Sequence, residues 1–201
     1  MVSTKISRFL VAFGGSLLLD QITKALVYHY IDPWGTLGGR TEITIIPHFF
    51  SLVHRQNEAA AGGLLAGNES RFIFFALFGV IASAVTLFLL YRLPKDDGFT
   101  AAILGLILAG AAGNSIDRLH KRSVTDFLKM YVDTPEAAKD WLQSIGPFYT
   151  NEWPTYNIAD SSLVFGVLLF LAHFVFAEEE GAPTPSPVPP APAPDHPPEA
   201  P

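Results

Sequence analysis

The 201-residue chain contains no cysteine, so disulfides, thiolate metal sites and a cysteine nucleophile are excluded. Any chemistry falls to carboxylates, hydroxyls, histidines or lysines. Charge is scarce as well: 16% of residues are Asp, Glu, Lys or Arg, and the formal net charge is −6. Without a basic field to follow a phosphate backbone, nucleic acid is excluded as a partner. The histidines, His29, His48, His54, His120, His173 and His196, include no H-x-x-x-H pair, which disfavours a zinc protease. His173 lies within an apolar run, where a packed or hydrogen-bonded ring is expected.

What the chain has in quantity is apolar surface. It is 49% hydrophobic with 16 Phe, a composition suited to burial in lipid. A helix needs about twenty apolar residues to cross a bilayer. Four stretches qualify, at residues 8–29, 72–93, 99–119 and 158–177. The first lacks a small-residue cleavage site and is interrupted by Asp20 and Lys24, so a retained span is expected there, not a secretory signal. "PKDDG" joins the second and third spans as a tight hairpin, and four spans then bring both termini to one side of the membrane. Orientation stays open on charge alone. Lys5, Arg8, Arg92 and Lys95 crowd the span ends on the terminus side, whereas the opposite loops carry more cations in total.

The sequence between the spans predicts two further elements. "TEITIIPHFFSLVHR", residues 41–55, alternates and is β-rich, predicting a hairpin or curved sheet on the membrane surface. "TPEAAKDWLQSIG", residues 134–146, has a Thr cap, Pro in the first turn and a Gly stop, the pattern of a short surface helix. Residues 178–201 are acidic and proline-rich, expected to be a disordered tail without catalytic role. The expected fold is therefore an all-α membrane protein, with four transmembrane helices, a small β-cradle and a short surface helix in one domain at residues 1–177.

Charges within spans cost ~2.5–3.5 kcal/mol each at the bilayer centre, so they are functional candidates by default. Asp20 and Lys24 are four apart and can pair on one helical face. Asn114, Asp117 and Arg118 project together from the end of the third span opposite the hairpin. Asp126, in "SVTDFL", and Asp160, opening the fourth span, fall on that same side. Arg118, Lys121 and Arg122 are close enough in sequence to offset Asp117, whereas Asp126 has only apolar flanks and Thr125, so burial would raise its pKa. Two carboxylates brought together would share one proton and supply a base and an acid at once. The alternative for Asp160 is a helix cap, worth ~0.3–1 kcal/mol from the dipole. Ser161 and Ser162 lack a nearby base and read as first-turn helix residues.

In order and spacing, "DQITK", "RQNEAAAG", "AGNSIDRL", "VTDF" and "YNIAD" resemble the motifs of the bacterial lipoprotein signal peptidases, the signal peptidase II family. The resemblance covers roughly residues 6–177. It implies an aspartic endopeptidase of the cytoplasmic membrane, with both termini inside, the cradle outside and the active site near the outer face. The implied substrate is a prolipoprotein, cut before a cysteine that carries diacylglycerol, and membrane lipid is a further partner. No cofactor or metal is implied, and a monomer is expected. The catalytic pair maps onto Asp126 and Asp160. Asn57, Asn114 and Arg118 map onto substrate-holding positions, and Asp117, Asn157, Asp20 and Lys24 onto supporting ones. Residues 121–157 would include a flexible lid. The chain departs from the family pattern at Ala59 and at Arg122, where glycine is usual, at Gly62, where an aromatic is usual, and in a longer segment between Asp126 and Asp160. These departures bear on substrate choice and lid motion, and leave a specialised or non-catalytic lipopeptide-binding homologue as one alternative. A small ion-coupled transporter is the other.

Overall fold

A computed structural model describes residues 3–32, 39–57, 68–132 and 152–180. Four helices carry the frame: α1 (Thr4–Tyr30), α2 (Asn68–Arg92), α3 (Gly98–Lys121) and α4 (Ile158–Glu180). All four are long and apolar enough to cross a membrane, matching the expected spans with additional turns at their ends. The expected helix at 134–146 and most of the acidic tail lie outside the described residues, as do Ala59 and Gly62.

Local chemistry sets where the helices begin and end. The Ser3 hydroxyl accepts from the Ile6 N–H at the start of α1, and the Asp97 carboxylate accepts from the Thr100 N–H at the start of α3. Lys5 Nζ donates to the Leu90 and Leu93 carbonyls at 2.9 and 2.8 Å, satisfying acceptors that the end of α2 leaves open. That bond also places the start of α1 beside the α2–α3 hairpin, so the helices run alternately up and down.

In α3, 56% of the spanning window is buried inside the protein, against 17, 17 and 11% in α1, α2 and α4, so α3 is the central helix. Small residues permit this. Gly105 faces the α1 backbone at Phe9, and Gly110 faces Ala159 and Leu163 of α4, so that a Cβ at either position would collide with backbone atoms. A core of Phe9, Leu90, Ala101, Leu104 and Leu108 fills the end of the bundle near the hairpin. Leu18, Ile22, Phe74, Phe78, Phe165 and Leu168 are exposed on the outer surface, as lipid-facing side chains should be. His173 stands exposed on α4, its ring packed edge-on to Phe99 with 5.2 Å between centroids, one of the two arrangements expected for it.

The other end carries a three-stranded antiparallel sheet in the order β1 (Glu42–Ile46), β2 (Phe50–Asn57), β3 (Val124–Met130). The first two strands are the expected hairpin. The third was not expected, because its first four residues are all buried and hide the alternation that marks a half-exposed strand. Register places Leu52 opposite Leu128, Arg55 opposite Asp126 and Asn57 opposite Val124, with an irregularity between Leu52 and Arg55. The sheet rests on the end of α1, where Val27, Ile31 and Phe127 are buried together. Residues 152–156 then run antiparallel along the outer edge of β3: Trp153 N–H donates to the Met130 carbonyl, and Tyr156 and Leu128 exchange backbone bonds. This strap leads directly into α4.

Candidate active site

The strap and the first turn of α4 bring two distant carboxylates together. Asn157 is the cap residue: its Oδ1 accepts from the Asp160 N–H at 3.0 Å, and Asp160 Oδ2 accepts from the Asn157 N–H at 3.1 Å. This is a reciprocal capping box with Asn and Asp in its two places. The Nδ2 of the same Asn157 donates to Asp126 Oδ1 at 2.8 Å and to Asn114 Oδ1 at 3.1 Å. One side chain thus spans β3, α3 and α4.

The second oxygens are held as firmly. Asn57 Nδ2 donates to Asp126 Oδ2 at 2.8 Å, and Asn114 Nδ2 donates to Asp160 Oδ1 at 2.7 Å. Each carboxylate oxygen therefore has one fixed donor and keeps a lone pair for a water or a proton. Asp126 is 2% exposed. Burial pushes its carboxyl up to about 6, and the charge of Asp160 adds to the rise against the hydrogen bonds from Asn57 and Asn157.

Behind the pair lies a buried charge cluster. Lys24 Nζ reaches Asp20 at 2.9 Å, Asp117 at 3.1 Å and Asn114 Oδ1 at 3.2 Å, which uses all three of its donors. Asp20 Oδ1 accepts from the Ala159 N–H and Asp117 Oδ2 from the Thr125 N–H, so the cluster fixes the backbone just before Asp160 and Asp126. The expected pairing of Asp20 with Lys24 is present. The expected offset of Asp117 comes from ion pairs with Lys24 and, at 3.8 Å, with Lys121, while Arg118 acts on it through its charge without a direct ion pair among the described residues. One position along a helix is a turn of about 100°. Arg118 consequently points towards α2, with its guanidinium 4.3 Å from the Phe75 ring centre and a bond to the Asn114 carbonyl.

All nine residues singled out from the sequence thus stand in one region at one end of the bundle. Sequence reasoning missed Gly113, where a Cβ would come within 2.6 Å of Asp20 Oδ2 and 3.0 Å of the Ala159 Cβ. The small-residue run "AGAAGN" is the signal that could have found it. It also missed the ion pairs of Glu152 with Arg55 and Lys129, which no local pattern marks. Arg122 caps α3 in the left-handed region at φ 58°, so the chain keeps there the conformation that favours glycine.

Two grooves lie on the apolar outer surface, and the first reaches the pair at Asp160. One of about 340 Å³ runs along α4 past Tyr156, Asp160, Ser161, Val164, Phe165 and Leu168. The other, about 370 Å³, lies between α2 and α3, apolar along Phe75, Val80, Ile116 and Leu119 and reaching Arg118. Both are shaped for extended apolar groups near a polar centre.

Known proteins resemble this chain in sequence and in fold. The chain is 35% identical to a lipoprotein signal peptidase of Geobacter sulfurreducens over 169 residues, 84% of this chain and 92% of the relative. It is 33% identical to one from Syntrophus aciditrophicus, over 86% of this chain and 94% of that one. A solved bacterial membrane enzyme, determined by the in meso method at 2.3 Å resolution, superposes with a TM-score of 0.63 at 25% identity, covering 91% of this chain and 95% of its own. Residues 12–176 match the model of the signal peptidase (SPase) II family, and the chain belongs to that family.

Proposed function

We propose that the protein is a membrane aspartic endopeptidase that removes signal peptides from prolipoproteins bearing a diacylglyceryl cysteine. The observation that carries this reading is Asn157, which holds Asp126 through its side chain and Asp160 through its capping box. Cleavage then needs only water. One carboxylate of the pair takes a proton from water as its oxygen attacks the scissile carbonyl, while the proton shared by the pair passes to the carbonyl oxygen. The tetrahedral intermediate collapses with transfer of a proton to the amide nitrogen. The C–N bond breaks, leaving a carboxylic acid on the signal peptide and a free amine on the lipidated cysteine. Because the protons move within a coupled pair, they belong to the pair and to neither residue alone.

Apolar binding energy orients the substrate. The groove along α4 receives the signal peptide beside Asp160, and the groove between α2 and α3 receives an acyl chain, with Arg118 near the ester groups. Lipid chains stay in the bilayer while the amide reaches the interface. This reading puts both termini in the cytoplasm and the sheet on the outer surface.

The test is cleavage of a diacylated prolipoprotein peptide by purified wild type, Asp126→Asn and Asp160→Asn. Wild type should cut before the lipidated cysteine, and either variant should lose at least about a hundredfold in rate. Absence of wild-type cleavage sinks the peptidase reading, and full activity in either variant sinks the assignment of the pair.

A further inference from the structure

The ion pairs at the strap are not used by the mechanism above. Glu152 opens the strap, five residues before Asn157, and its carboxylate is gripped by Arg55 of β2 at 3.2 Å and by Lys129 of β3 at 3.2 Å. Lys129 also pairs with Glu42 of β1 at 3.3 Å. Three strands and the strap are thereby tied at one point. Arg55 stands directly opposite Asp126 in the register, and side chains so paired have Cβ atoms about 4.5–5.5 Å apart. An arginine at that separation can reach the carboxylate easily, yet its guanidinium lies on Glu152, across β3.

We infer that Glu152 is a positioning residue: it holds the Arg55 guanidinium away from Asp126 and fixes the strap that delivers Asn157. The inference rests on the reading of Asp126 and Asp160 as the acid–base pair. The charged groups around Asp126 are Lys24 from α1, Asp117, Arg118 and Lys121 from α3, Asp160 from α4 and Arg55 from β2. All except Arg55 belong to helices packed under the site. Arg55 is a half-exposed side chain whose place is set by one partner on the strap. Released, it would pair with Asp126, favour the ionised form and remove the shared proton from the pair.

The experiment needs no substrate for its first part. Thermal unfolding of the full chain in detergent is followed between about pH 4 and 9 for wild type, Glu152→Gln, Arg55→Gln and the double variant, each with and without Asp126→Asn. The difference between each pair isolates the titration of residue 126. In wild type the difference should change from about pH 3.8 upwards and level off near 6. In Glu152→Gln this upper limit should fall by roughly one unit or more, as expected for a new opposite charge nearby, and the double variant should return to the wild-type value. An unmoved upper limit in Glu152→Gln, or a double variant that stays shifted, overturns the inference. In the second part, peptide cleavage by Glu152→Gln should lose its alkaline limb about one unit earlier, a roughly tenfold loss above it, with Arg55→Gln restoring the limb. Titration shifts with no wild-type cleavage sink the peptidase reading and leave the clasp. Normal cleavage with no shift does the reverse.

Discussion

Asp126 sits where burial and a neighbouring carboxylate push in the same direction, and its stability contribution has a defined sign. Its folded pKa of about 6 is above the ordinary 3.8. The raised value means that its contribution is fully present below pH 3.8 and is lost as pH rises through about 6. Relative to wild type, Asp126→Asn should therefore gain stability between pH 4 and 8 by on the order of 2–3 kcal/mol, read by unfolding in detergent at both pH values. A constant difference would show that the group titrates normally. Arg122 makes a second prediction at this scale. A left-handed non-glycine residue costs about 1–2 kcal/mol, so Arg122→Gly should stabilise the chain by about 1 kcal/mol, measured as a raised Tm, with cleavage retained. Asp126 and Asp160 were legible as candidates because carboxylates beside apolar runs are conspicuous. The Arg55–Glu152 pair was not, since its members are 97 residues apart and unremarkable where each stands.

The decisive element is the start of α4. Of the two roles left open by the sequence for Asp160, the structure shows the cap: Asp160 completes the capping box, and its other oxygen faces Asn114 beside the Asn157 bridge, where the proposed chemistry needs it. Asn157→Ala removes the cap, at about 1 kcal/mol, and strands a buried oxygen of Asp126 for a further ~1 kcal/mol or more. It should also slow cleavage by roughly a hundredfold, as misplacement of a reacting group by about 1 Å does. Full rate in this variant would remove Asn157 from the site. On α3, Gly113→Ala should destabilise by ~1–3 kcal/mol through overpacking against Asp20 and Ala159, visible in the same unfolding assay. The helices themselves were readable because long apolar runs admit no other structure in a bilayer. β3 was not, because burial on both sides erases the two-residue alternation.

Across the whole molecule, the end of the bundle is organised by Lys24. It offsets Asp20 and Asp117 and fills its third donor position with Asn114, so three charges are buried in an apolar frame with good geometry. Lys24→Met keeps the length of the side chain but leaves two carboxylates uncompensated, and should cost about 3–5 kcal/mol. A Tm unchanged from wild type would mean that the cluster does not stabilise the fold.

The sequence by itself determined four spans, their alternating direction, the pairing of Asp20 with Lys24 and the collection of Asn114, Asp117, Arg118, Asp126 and Asp160 at one end, because apolar length and helical period are local properties of the chain. Which of those groups touch was decided only in three dimensions. The partners of Asp117, the strap along β3, the Asn157 bridge and the Glu152 clasp each depend on strand register and on how closely glycine lets α3 approach its neighbours. Contacts between residues tens of positions apart are set by packing, and no local pattern in the chain records them.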